Sequence, residues 1–305
     1  MDERLREDPE SGTSIALVGP GAIGSTVAAL AYEAGHSITL CGRTPRDSIE
    51  LRPDDGDPVV LPGPVHTDAG DVDGPVDVVL LAVKDTQTEG AAAWLARLCD
   101  ANTVVCALQN GVEQVERVGR FCPESTVVPA AVWFSAETHP DGHIRLRTAA
   151  RLTLPDDPAA KRLAETLRSP RLSIECSADF ATEAWRKLLT NAVAGLMVLT
   201  GRKSGMFRRD DVARLAADYL AECLAVARAE GANLDDSVIG EIIGLFVGLP
   251  EDVTTSILTD REQRRPMEWD VRNGVITRRA AEHGLATPIS DVLVPLLAAA
   301  DEGPG

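Results

Sequence analysis

The segment SIALVGPGAIGSTVAALAYEAG, residues 14–35, constrains the fold more than any other stretch of the chain. An apolar run that reads as a buried strand passes without a spacer through GPGAIG into an apolar helical stretch. Gly19, Gly21 and Gly24 stand there in the spacing GxGxxG. The first glycine makes a tight turn, the second lets backbone approach a pyrophosphate, and the third lets helix and strand pack closely. A helix N-terminus beside such a turn offers free N–H groups to an anion. The whole turn, Gly19, Pro20, Gly21, Ala22, Ile23 and Gly24, is therefore expected to bind a dinucleotide. Pro20 is compatible because its position need not donate a hydrogen bond.

Three more near-continuous apolar runs follow, SITLCG (37–42), VDVVLLAV (76–83) and NTVVCAL (102–108), as strands buried on both faces require. AIGSTVAALAYEAG, TQTEGAAAWLARL and VEQVERVGRF read as crossover helices between them. The fold class is α/β, an N-terminal Rossmann-type doubly wound sheet. TPRDSIELRPDDGDPVVLPGP is expected to replace one crossover helix with loop and an edge strand. Strands around a PDG turn at 140–142 are expected to close the sheet antiparallel.

Beyond about residue 180 the strand signals stop, and helical spacing runs through segments ended by Gly201, Gly231, Gly248 and Gly284. We therefore expect a disordered acidic lead-in over 1–13, a nucleotide-binding domain over 14–179 and an all-helical domain over 180–305, which carries substrate and catalysis. Two domains also suit a chain of 305 residues.

Charge and cysteine usage exclude several function classes. A formal net charge of −17 repels phosphate backbones, so no nucleic-acid partner is expected. No apolar run is long enough to span a bilayer, and the polar N-terminus lacks a secretory signal, so no membrane role is expected. The six cysteines form no CxxC pair and sit mostly in apolar runs, which suits reduced thiols in the cytoplasm and no metal site. The apolar helices SVIGEIIGLFVG and DVLVPLLAAA leave room for a homodimer interface.

Which dinucleotide binds is decided after the second strand. ITLCGRT delivers Arg43 and Thr44 there, with no acid until Asp47, and a guanidinium suits a 2′-phosphate, so NADP is preferred over NAD. Ligands of an open parallel sheet lie beyond the carboxyl ends of its strands. At those ends stand Lys84 with Gln87, and Asn110 with Gly111. Taken alone, Lys84 is equally an ordinary solvent-facing lysine, and Asn110-Gly111 equally a plain turn. In AWRKLLTNAVAGLMVLTG (184–201) Lys187 and Asn191 share one face of an otherwise apolar helix.

GPGAIG with Arg43, LLAVKDTQT, LQNGVEQ, AWRKLLTNAVAG and SILTDREQRRPMEWDVRNGVITRRAAEHGLATP, in this order, resemble the 2-dehydropantoate 2-reductase (ketopantoate reductase) family from about residue 14 to about 297. The resemblance implies NADPH-dependent hydride transfer to the C2 ketone of a 2-oxo acid, foremost ketopantoate, giving pantoate on the route to pantothenate and coenzyme A. Carried over by position, it makes Lys187 the catalytic lysine and Glu268 a site glutamate. It adds Asn110, Asn191 and Ser256 as substrate-site residues, and Lys84 as the lysine near the nicotinamide ribose.

Those roles agree with elementary chemistry. Hydride arriving at a ketone leaves charge on oxygen, which Lys187 can stabilise and protonate if burial brings its pKa towards working pH. Glu268 would orient Lys187 or accept from a substrate hydroxyl, while its charge opposes that lowering. No metal is required. One departure stands out: the family tends to place a second asparagine four residues after Asn191, and this chain has Gly195. The expectation is a position empty of hydrogen-bonding groups, which opens the alternative of a paralogue reducing another 2-oxo acid or carbonyl compound. A non-catalytic NADP-binding module is the third reading, against which intact Lys187 and Glu268 argue.

Overall fold

The computed structural model describes residues 12–303, so the lead-in expected over 1–13 lies, through residue 11, outside the described residues. The chain forms two compact units. The first holds the residues up to Val83, Thr88–Gln109 and Val115–Cys176; the second holds Lys84–Gln87, Asn110–Gln114 and everything from Ser177. Two short loops from the first half of the sequence thus belong by contact to the second unit.

In the first unit, six parallel strands run in the spatial order Val65–His66, Ile38–Cys41, Ile15–Val18, Val78–Leu81, Val104–Ala107 and Thr126–Pro129. Ile15–Val18 pairs with a strand on either side, and sequence order runs outward from it in both directions. This is the doubly wound arrangement, with its switch point beside the glycine turn. The central strands are buried residue by residue, which is why their sequences are continuous apolar runs rather than alternating ones.

The helix Ala22–Glu33 explains the Pro- and Gly-rich stretch after the second strand. Every residue from Gly24 to Ala31 is buried, so the helix is covered on all sides. Its second cover is a four-stranded sheet, in the order Ala136–Thr138, Ile144–Leu146, Ser48–Pro53 and Val59–Pro62. Alternating burial along Val59–Pro62 marks a sheet with one face on the helix and one in solvent. The expected loop and edge strand are thus an antiparallel pair, and the hairpin around PDG joins them instead of closing the main sheet. A third sheet holds Leu172–Ser177, Ala150–Pro155 and Ala131–Val132.

The second unit is helical: Phe180–Val193, Gly195–Thr200, Asp210–Ala229, Ser237–Gly248, Ser256–Glu262, Val275–His283 and Ser290–Glu302. Its core gathers Trp185, Leu189, Met197, Phe207, Tyr219 and Ile257 with their neighbours. Gly201 and Gly284 end their helices with φ of 64° and 65°, the left-handed cap that only glycine adopts without strain. Asp270–Gly274 forms one wide π-helical turn leading into Val275–His283, a form that favours functional sites. No helix among the described residues is long and apolar enough to cross a membrane.

Candidate active site

The glycine turn is built for close approach on one side and tight packing on the other. Gly19 has φ of 93°, and a Cβ placed there would meet the Val83 backbone nitrogen at 2.7 Å. A Cβ on Gly24 would meet Ala82 Cβ at 2.5 Å and Leu17 Cδ1 at 2.7 Å. A Cβ on Gly21, by contrast, would have nothing within 4 Å. The open side therefore lies at the middle glycine, at the N-terminus of the Ala22–Glu33 helix, where a pyrophosphate would sit. Pro20 packs its ring over Gly42, and Ala22 and Ile23 pack as partly buried residues on the core. Arg43 stands exposed just past the second strand. An open middle glycine at a helix N-terminus fits the phosphates of a dinucleotide.

A second cluster lies entirely within the helical unit and its two loops. Its centre is Glu268, which is 4% exposed. Glu268 Oε1 accepts from the Asp85 N–H at 3.2 Å, and Oε2 accepts from Asn110 Nδ2 at 3.0 Å and Arg272 Nη2 at 3.1 Å. Asn191 Nδ2 donates to Asn110 Oδ1 at 3.3 Å, so the Phe180–Val193 helix joins the chain of bonds. Arg272 Nη2 also donates to Ser256 Oγ at 3.1 Å. Beside this group, Lys84 Nζ reaches the buried Asp260 carboxylate at 2.5 Å, and Arg265 Nε reaches its other oxygen at 3.2 Å. Gln87 contributes its backbone N–H, which bonds to the Lys84 carbonyl and closes that loop.

The Phe180–Val193 helix buries Ala184, Trp185, Leu188, Leu189, Ala192 and Val193, which leaves Lys187 and Asn191 together on the adjoining face. Lys187 keeps some solvent contact, yet protein atoms crowd its ammonium. Burial, and then the Arg272 charge, push its pKa down to about 7, against the opposing pull of Glu268. Burial alone would raise the Glu268 carboxyl. The Arg272 charge outweighs it, with the Asn110 amide, the Asp85 N–H and the Arg272 hydrogen bond, and holds the group ionised below the ordinary carboxylate range. The result is an anion fixed by donors and a lysine poised near neutrality, a pairing suited to proton transfer.

Residues 15–158 match the family described as Ketopantoate reductase PanE/ApbA, and residues 179–301 match Ketopantoate reductase PanE/ApbA C terminal. A 2-dehydropantoate 2-reductase of Mycobacterium tuberculosis is 63% identical over 96% of this chain and 99% of its own length. Another, of Caulobacter vibrioides, is 36% identical over 94% of this chain and 99% of its own. The chain belongs to the ketopantoate reductase family. Among solved structures, a dimeric ketopantoate reductase from Staphylococcus aureus superposes with a TM-score of 0.84 at 26% identity, covering 96% of this chain and 100% of that one.

Against this family background, the structure brings together Lys187, Glu268, Asn110, Asn191 and Ser256, and sets Lys84 on Asp260. Sequence reasoning missed Asp260 and Arg272. The signal for Arg272 was its place four residues after Glu268, which puts both on one helical face. It was lost among the many arginines of this segment.

Gly195 corrects an expectation. The helix breaks at Ala194, so Gly195 begins a new helix, Gly195–Thr200, rather than continuing the Lys187–Asn191 face. A Cβ there would lie 2.9 Å from Asn273 Nδ2 and 3.2 Å from Leu297 Cδ1. The space is filled by the amide of Asn273, whose Nδ2 donates to the Ala192 carbonyl and to Tyr219 Oη, each at 2.9 Å. An asparagine in this region is therefore supplied by the π-helical turn, and Gly195 is small to admit it.

Proposed function

We propose that this chain is an NADPH-dependent 2-dehydropantoate 2-reductase, with Lys187 as the general acid. The observation that carries this reading is the near-neutral Lys187 under the opposing charges of Arg272 and Glu268 in a family of ketopantoate reductases. The glycine turn would hold the pyrophosphate on the N-terminus of the Ala22–Glu33 helix. Arg43, free of a carboxylate neighbour on its strand end, would take the 2′-phosphate through its planar fork.

When bound, the nicotinamide supplies a hydride to the C2 carbonyl carbon. Lys187 donates a hydrogen bond to the carbonyl oxygen, then gives that oxygen its proton as charge develops, so the product is a neutral hydroxyl and the lysine is left neutral until solvent reprotonates it. Glu268 stays ionised, held by three donors, and orients the substrate hydroxyl and Asn110. Asn191 fixes Asn110 in turn. Lys84, anchored on Asp260, would serve the nicotinamide ribose.

The partner is a small 2-oxo acid and, as in the dimeric Staphylococcus aureus relative, a second copy of the chain. Exposed Leu245, Val292 and Leu296 on the helices Ser237–Gly248 and Ser290–Glu302 supply apolar area for that contact. The compartment we propose is the cytoplasm, a reading that six free cysteines support.

The test is NADPH oxidation on addition of 2-dehydropantoate, in the natural chain and in Lys187→Ala. We expect turnover to fall by about 10²–10⁴-fold with NADPH affinity retained. Undiminished turnover in the variant removes Lys187 from the role; a natural chain that oxidises NADPH with other 2-oxo acids but not with this one moves the assignment to a paralogue.

A further inference from the structure

We propose that Arg272 is the anchor for the substrate carboxylate, with Ser256 positioned beside it. The proposal rests on the reading above that the substrate is a 2-oxo acid, and gives that acid group a specific partner.

The first observation is the unsatisfied donor set. Arg272 is only 2% exposed, a rare state for a guanidinium unless its donors are used. Nη2 serves Ser256 Oγ and Glu268 Oε2, but Nε is buried without a hydrogen-bond partner, and Nη1 makes no hydrogen bond among the described residues. An arginine presents five N–H donors in a planar fork that matches a carboxylate two bonds at a time. Here much of that fork remains unused by the protein.

Charge balance gives an independent argument. Arg272 is paired with Glu268, whose charge also acts on Lys187. The neighbouring Asp260 is already engaged by Lys84 and Arg265. A buried guanidinium with part of its fork unused can take one more negative charge, and a monoanionic 2-oxo acid carries one. Its carboxylate on Arg272 would also offset the charge that disfavours protonated Lys187, so the substrate itself would help to arm the acid.

Geometry completes the case. Ser256 Oγ is held by Arg272, so its own hydroxyl proton is left to donate towards a ligand. The i,i+4 placement of Glu268 and Arg272 sets an acceptor and a donor one turn apart, matching a substrate with a hydroxyl at one end and a carboxylate at the other.

The experiment compares 2-dehydropantoate with its neutral lactone in the natural chain, Arg272→Lys and Arg272→Met, alongside calorimetric binding of oxamate, a non-reducible 2-oxo acid analogue, to the NADPH complex. We expect the natural chain to prefer the acid over the lactone and Arg272→Met to lose about 10–100-fold more in kcat/KM for the acid than for the lactone, the excess lying mainly in KM. Arg272→Lys should recover part of the loss, and oxamate binding should weaken in parallel. An unchanged acid-to-lactone ratio, with oxamate affinity intact in Arg272→Met, overturns the proposal. If the natural chain reduces none of these compounds, the reductase reading fails, and oxamate binding still decides for or against Arg272. Should Arg272→Met not fold, the charge-matched pair Arg272→Met with Glu268→Gln is compared with Glu268→Gln alone in the oxamate measurement, where equal affinity overturns the proposal and a further loss supports it.

Discussion

The glycine turn of the first unit and the carboxylate cluster of the second differ in how they are made. The turn is six consecutive residues whose backbone does the work, and its three glycines are explained by what a Cβ would hit or leave open. The cluster is made of side chains brought from far apart: Lys84 meets Asp260 across 176 residues of sequence, and Asn110 meets Glu268 across 158. A backbone site can be specified locally and tolerates its surroundings. A side-chain site exists only when the fold delivers each member, and its electrostatics belong to the group rather than to any one residue.

The sharpest way to probe the cluster as a group is through pH. Lys187 has its pKa lowered to about 7, and a general acid must be protonated to act. Because kcat/KM reports the free enzyme, it should decline above about pH 7 by about tenfold per pH unit. A profile flat into the alkaline range would show that Lys187 does not donate the proton. The stability consequence has a definite sign: between about pH 7 and the ordinary lysine pKa near 10.5, the unfolded chain binds a proton that the native state does not. Native stability relative to Lys187→Met should therefore rise with pH across that window and level off below about 7. Denaturant midpoints of both proteins at several pH values measure it.

The turn can be broken in two distinct ways, which tests the backbone side of the contrast. Gly24→Val would drive atoms into Ala82 and Leu17, where contacts of 2.5 and 2.7 Å already await a Cβ, so a loss of about 3 kcal/mol in stability is expected from thermal or urea unfolding. Gly21→Ala meets nothing within 4 Å and should leave stability nearly unchanged while weakening NADPH binding, read by fluorescence titration. If both variants unfold alike, or if Gly21→Ala binds NADPH as well as the natural chain, the division between packed and open glycines is wrong.

How much was legible follows the same contrast. The doubly wound sheet was readable because Ile15–Val18, Val78–Leu81 and Val104–Ala107 are buried on both faces and so are continuously apolar. The pair Ser48–Pro53 and Val59–Pro62 was half hidden, since a short one-sided sheet rich in Pro and Gly carries a weak period. Lys187 and Asn191 were visible as polar intruders on an apolar helix. Their companions Glu268 and Ser256 became visible through family resemblance alone, because an isolated Glu or Ser in a helical stretch is ordinarily solvated. Arg272, four residues after Glu268, was lost among neighbouring arginines, and Asn273 stayed invisible: what singles them out is burial, a tertiary property.

Gly195 gives the smallest expected effect and the finest test. Taken as a vacancy, the position would invite Gly195→Asn to add a hydrogen bond and tighten substrate binding. With Asn273 filling that space, the new side chain must displace an amide that bonds Ala192 and Tyr219 and must also press on Leu297. Replacing glycine within a helix returns up to about 1 kcal/mol of backbone preference. Against it stand the overpacking and the disturbed hydrogen bonds of Asn273, about 1–3 kcal/mol together. The net expectation is a loss of about 1–2 kcal/mol in stability with no gain in affinity for 2-dehydropantoate. Asn273→Ala in the same chain should relieve part of that loss, because it empties the space the new side chain needs, and a double-mutant cycle measures the coupling directly. Purely additive losses would mean that the two positions do not share one space, and tighter substrate binding by Gly195→Asn alone would restore the vacancy.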